Sequence, residues 1–145
     1  MSKLFNYNGT NCDVKVFWYQ SDPTNMAIQL TDHDTKEPYA VPTVNLGPMI
    51  GNETIMPNDC AFIDTNNMPG FDKVLIERGL AEPYTRWGQP VIGQSGFCQY
   101  PLLQFNMDKL KEYDQEGVEK FQDQYWDSFS KARDNIFGKD DFGER

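Results

Sequence analysis

The chain has 145 residues, 39% of them hydrophobic and 14% aromatic, and carries 22 acidic against 13 basic side chains for a net charge of −9. That length suits one domain, residues 1–138 with a charged tail at 139–145, which can bury roughly 68 to 70% of its unfolded surface and so excludes a disordered chain. The acidic balance excludes a protein that holds nucleic acid or anionic lipid by neutralising phosphates, so no direct nucleic-acid or membrane binding is expected.

The start, Met1 to Asn8, has no uninterrupted apolar stretch, and no window approaches the roughly 18 apolar residues of a membrane span. Cys12, Cys60 and Cys98 are far apart and odd in number, which fits reduced thiols. A cytoplasmic protein is expected.

From Cys12 to Gln20 apolar Val14 and Val16 alternate with Asp13 and Lys15, the period of a half-buried strand. The cluster Ser21 to Asn25 turns the chain into a second strand, Met26 to Thr31, which stops at Asp32-His33-Asp34. A third follows from Tyr39 to Leu46, and Pro42 inside it marks an edge or a bulge, because proline cannot donate to a ladder. The three form an antiparallel meander, since the first 46 residues leave no room for crossover helices. Gly47 to Asn58 reads as a loop or a short excursion hairpin, and Cys60 to Asp64 as a short buried strand.

Val74, Leu75 and Leu80 share a face of a short helix over Phe71 to Leu80, with Gly79 near its end. Glu82 to Gly96, rich in Gly and Pro, reads as a loop, and Phe97 to Phe105 as the last strand. Asn106 is a good N-cap for a long helix whose stripe is Leu110, Tyr113, Val118, Phe121, Tyr125, Phe129, Ala132 and Ile136. Gly117 interrupts that stripe and marks a break into two helices. With Trp126 beside Tyr125 the apolar sector is wide enough to cover a sheet or a partner subunit, so a homodimer through this helix is a further expectation. The fold class is α+β, one antiparallel sheet from the N-terminal two thirds and the segments near 60 and 100, with the terminal helix on one face.

No catalytic set emerges. His33, the only histidine, lies between two turn aspartates and lacks the further ligands of a zinc site, and Ser/His/Asp or Cys/His chemistry would require His33 itself as base. Gly93-Gln94-Ser95-Gly96 misses the nucleophile elbow by one position, and no phosphate loop occurs. No metal, cofactor or catalytic residue is expected. Asp64-Thr65-Asn66-Asn67, after a buried strand, suits a metal or substrate polariser, and suits an irregular turn better. Trp87, Phe97, Tyr100 and Phe105 gather around Arg86 with the composition of an interface hot spot, though aromatics in strand-forming segments are more often core.

Four blocks in serial order resemble a family of small proteins of unknown function carried by bacteriophages, plasmids and other mobile elements. They are Thr43-Val44-Asn45-Leu46, Ala61 to Asn67, Gly79-Leu80-Ala81-Glu82-Pro83, and Ser95 to Phe105, so the likeness spans about Tyr39 to Leu110. Gly47 to Pro57 looks inserted relative to that family, and Tyr84-Thr85-Arg86 stands where it usually has Thr-Gly-Arg. The resemblance implies a setting and transfers no mechanism.

With the acidic balance, it implies an accessory protein that binds a host protein stoichiometrically, its target a basic nucleic-acid channel in a defence nuclease such as a CRISPR effector. Asp64, Asn67, Tyr84, Arg86 and Tyr100 are the expected contacts. The alternative is a small enzyme or a ligand- or metal-binding domain using the polar turn around Asp64 with His33 or Arg86, which requires those residues to converge.

Overall fold

The structure, a computed structural model, describes residues 2–51 and 54–137; the tail at 139–145 and the Ile136 side chain of the apolar stripe lie outside the described residues. Four strands form the first sheet in the order β1 (Phe5–Tyr7), β2 (Thr10–Trp18), β3 (Met26–Asp32) and β4 (Pro38–Ala40). Asn8 and Gly9, both at positive φ, make the two-residue turn from β1 to β2, because a hairpin of this length needs left-handed residues to match the strand twist. The alternation of β2 buries Cys12, Val14 and Val16 on one face, with Val14 opposite Leu30 and Val16 opposite Ile28.

The run Tyr39 to Leu46 does not stay in one sheet. β4 ends at Ala40, and β5 (Thr43–Val44) pairs with β8 (Cys60–Ile63) in a second sheet. Pro42 lies between them, and its carbonyl accepts the Asp64 N–H at 2.8 Å. Thr43 is buried, yet its Oγ1 bonds the Tyr19 hydroxyl at 2.8 Å and accepts the Ile28 N–H at 3.2 Å, so the crossing is tied to the first sheet. The single sheet expected from the sequence is therefore two, because a proline without N–H ends one ladder and the chain begins another.

The second sheet runs β12 (Ile92–Ser95), β13 (Cys98–Phe105), β8, β5, with β9 (Ala81–Pro83) also paired to β13. All described strand pairs are antiparallel. The excursion between β5 and β8 is a hairpin of β6 (Met49–Ile50) and β7 (Thr54–Ile55). α1 (Phe71–Glu77) closes with Gly79 at φ 72°, its N–H on the Ile76 carbonyl, and the Leu80 N–H on that of Leu75, the αL termination that glycine favours. The Glu82 to Gly96 stretch, expected as a loop, holds β9, β10 (Thr85–Arg86), β11 (Gln89–Pro90) and β12. Its glycines occupy hairpin turns and one tight packing position.

α2 (Met107–Phe137) starts as Asn106 Oδ1 accepts the Lys109 N–H at 3.2 Å. Its break falls at Asp114 (φ −155°, ψ 80°), three residues before the expected Gly117. Asp114 caps the second segment through the Gly117 N–H (3.1 Å) and also accepts the Val16 N–H at 2.8 Å, sealing β2 where β1 has ended. Glycine at 117 answers a different need: a Cβ there would lie 2.6 Å from the Val16 carbonyl oxygen. Leu110, Val118, Phe121 and Tyr125 are buried in the main core with Phe5, Leu30, Ile63 and Phe71. Gln124 donates to the Pro23 carbonyl at 2.6 Å and the Tyr125 hydroxyl to that of Met56, which holds the helix to both halves.

Candidate functional site

From Pro83 to Met107 the only charged side chain is Arg86, in a chain of which 24% is charged. This stretch builds two hairpins. The first, β10 with β11, pairs Arg86 with Gln89 around the turn Trp87-Gly88, whose φ angles are 50° and 77°. That is the mirror-image turn that usually takes Asn-Gly, and a tryptophan held there carries local strain of about 1 kcal/mol or more. Its ring is 88% exposed, with the Arg86 guanidinium 5.9 Å from the ring centre. The second hairpin, β12 with β13, pairs Ser95 with Cys98 around Gly96-Phe97, Gly96 having φ 62°, and the Phe97 ring is fully exposed.

Both hairpins leave one hydrogen-bonded junction. Tyr84 N–H donates to the Leu102 carbonyl (2.9 Å), Leu102 N–H to Val91 (3.0 Å) and Val91 N–H to Tyr84 (2.9 Å). Tyr84, Val91 and Tyr100 pack against a second small core of Ile50, Met56, Cys60, Phe62 and Leu102. Gly93 makes room there, since a Cβ on it would lie 2.5 Å from Leu46 Cδ1 and 2.6 Å from Phe62 Cε1. The bases are thus fixed while the tips stand in water.

Of the expected contacts, Tyr84, Arg86 and Tyr100 belong to these hairpins. Desolvation, the Cys98 thiol and the charge of Asp64 push the Tyr100 phenol up. Asp64 and Asn67 serve their own turn: the Asp64 carboxylate accepts the Asn67 N–H (3.1 Å) and its side-chain amide (2.8 Å), so both oxygens are engaged locally. Phe105, expected around Arg86, is instead a core residue, 3% exposed. Trp87 and Phe97 are the opposite case, outside the core although aromatics in this stretch read more readily as packing. The signal for them was adjacency to Gly88 and Gly96, since the tip of a two-residue turn has no sheet face to bury a ring against.

His33 bonds Asp13 Oδ1 at 3.0 Å and lies 3.4 Å from Lys36 Nζ, beside the first sheet. Burial raises the Asp13 carboxyl, but hydrogen bonds and charge from His33 and Lys36 outweigh it and leave Asp13 below its usual value. Among the described residues, no group of three or more His, Cys, Asp or Glu side chains is placed to hold a metal ion. Nor is any described helix long and apolar enough to cross a membrane.

These features define a small α+β domain whose most distinctive surface is a pair of aromatic hairpin tips. The chain belongs to the DUF4313 family, a domain of unknown function, whose model matches residues 13–125. The match takes in both hairpins, the Gly47 to Pro57 excursion and much of α2. Neither a curated protein nor a solved structure matches the chain.

Proposed function

We propose that this protein acts by stoichiometric binding to another protein, with Trp87 and Phe97 as anchors and Tyr84, Arg86 and Tyr100 at their bases. The observation that carries this reading is the exposure of two large rings on fixed turns within a long stretch that carries a single charge. Interface centres have that composition: aromatic residues and arginine enriched, other charges depleted. Each ring that a partner covers removes about 150–250 Å² from water. The strain at Trp87 supports the same reading, because strained residues persist where they serve a function.

The setting we propose is a bacteriophage or mobile-element accessory protein acting in the bacterial cytoplasm, its partner a defence nuclease with a basic nucleic-acid channel, as in a CRISPR effector. What supports it is the resemblance of the four sequence blocks together with the net charge of −9, which draws the protein toward such a channel and speeds encounter. Asp64 and Asn67 then lie at the margin of the contact. The test compares the full chain with a Trp87→Ala/Phe97→Ala variant as bait in bacterial lysate at physiological salt, followed by DNA cleavage assays on the captured nuclease. Capture of a nuclease by the parent alone, and its inhibition at one-to-one stoichiometry, is expected. Equal capture by both baits, or no inhibition, overturns the reading.

A further inference from the structure

The register of β12 and β13 determines which backbone groups of β12 face outward. A two-residue turn is closed by a hydrogen-bonded pair, here Ser95 and Cys98, and alternation makes Gly93–Tyr100 bonded as well. Gln94–Gln99 and Ile92–Pro101 are then the non-bonded pairs, which fits Pro101, a residue with no N–H to give. The N–H and C=O groups of Ile92 and Gln94 therefore point away from β13. β12 is the terminal strand of its sheet, and among the described residues no backbone hydrogen bond satisfies that edge.

Exposed edges are ordinarily blunted by proline, charge, bulges or extreme shortness. Proline stands in β4 (Pro38), β9 (Pro83) and β11 (Pro90), and β5 is only two residues long. β12, Ile-Gly-Gln-Ser, has neither proline nor charge, and Ile92 is 51% exposed. It runs from the end of the Trp87 hairpin to the turn bearing Phe97, so an unprotected edge lies between the two aromatic tips in the chain.

We infer that β12 is a docking edge for an extended, basic segment of the partner protein, which adds as a further strand through the backbone of Ile92 and Gln94. This rests on the protein-binding reading and specifies its mode. Edge groups of this kind are satisfied by another strand, and alternate side chains of that strand meet Ile92 on the face it shares with Gln94. Charge selects the occupant. All 22 acidic side chains lie outside Pro83 to Met107, so the body of the protein attracts a Lys- or Arg-bearing segment and repels a second copy with the same excess.

The test uses a display library of random twelve-residue peptides panned against the full chain, the parent compared with Gln94→Pro. Proline at an outward-facing N–H leaves the β13 ladder intact, which an unchanged thermal melt verifies. Enrichment of alternating peptides rich in Lys or Arg is expected, with affinity at least tenfold lower for Gln94→Pro and amide exchange at Ile92 and Gln94 at least tenfold slower when bound. No enrichment, enrichment without basic residues, or equal binding by the two proteins overturns the inference. Peptides lost in Trp87→Ala/Phe97→Ala but retained by Gln94→Pro overturn strand addition and leave the aromatic reading standing. Protection of Gln94 that rises with protein concentration alone assigns the edge to a second copy and overturns the basic partner.

Discussion

Asp114 and Val16 are joined by a 2.8 Å hydrogen bond in which a helix-breaking carboxylate completes the edge of a strand. Because the other carboxylate oxygen takes the Gly117 N–H, one side chain serves both the sheet and the restart of the helix. Asp114→Ala should lower stability by about 2–3 kcal/mol, since it strips a charged acceptor from two backbone donors. Asp114→Asn, which keeps one acceptor, should lose about half as much. Urea unfolding monitored by circular dichroism measures both, and a loss within 0.5 kcal/mol for Asp114→Ala would deny the bridge its role.

Gly117→Ala ought to gain about 1 kcal/mol from helix propensity alone. Here a methyl group would press on the Val16 carbonyl at 2.6 Å and on the Asp114 carboxylate, so a net loss of about 1 kcal/mol or more is expected in the same measurement.

At the hairpin tips the signs reverse. Trp87→Asn should raise stability by about 1 kcal/mol, because asparagine tolerates a positive φ that tryptophan does not, while partner binding falls. Phe97→Ala should leave the thermal midpoint unchanged, its ring having no core contact to lose. A clear drop in melting temperature for either variant would show the rings to be packing elements.

How much of this was legible in the sequence varies with the range of the forces involved. β2 and β3 declared themselves through alternation, α1 through Gly79, and the start of α2 through Asn106, all local signals. The departure at Pro42 was legible as an interruption but not as a change of sheet, because the partner of Thr43 is Ile63, far along the chain. Likewise the break in α2 falls at Asp114, whose carboxylate is engaged by the distant Val16 N–H, and not at Gly117. β10, β11 and β12 were hidden because Gly88, Pro90, Gly93 and Gly96 are the vocabulary of loops as much as of tight hairpins. Of the site, Tyr84, Arg86 and Tyr100 were reached through composition. Trp87 and Phe97 needed the turns to be recognised first.

Truncation after Asp114 removes Val118, Phe121 and Tyr125 from the main core. The shortened chain should lose cooperative unfolding and scatter light at micromolar concentration. A folded, monomeric product would show the distal helix to be an arm rather than core.

Alkaline pH should destabilise the protein. Burial, with the Cys60 thiol and Asp59 carboxylate nearby, pushes the Tyr125 phenol from 10.0 to about 12. Burial and Asp59 also raise the Cys60 thiol. A raised folded-state value means that the native protein keeps a proton the unfolded chain releases, so this stability is intact below pH 9.0, where neither unfolded group ionises, and the share of Tyr125 is lost as pH rises from 10.0 through about 12. Tyr125→Phe should cost about 1–2 kcal/mol at neutral pH, by stranding the Met56 carbonyl, and flatten the decline above pH 10. Urea midpoints recorded from pH 8 to 12 for both proteins check the slope.

The sealing of β2 by the far end of the chain also sets a timetable for synthesis. The four strands of the first sheet leave the ribosome early, but the carboxylate that closes β2 and the rings that cover its apolar face arrive only with α2. Contacts this distant in sequence form late and slowly. Until then the nascent chain displays an open strand edge beside a bare hydrophobic face, the combination most prone to pairing with its neighbours. Rapid expression should therefore yield inclusion bodies more readily than slow expression, and a circular permutant that begins with α2 should relieve the difference.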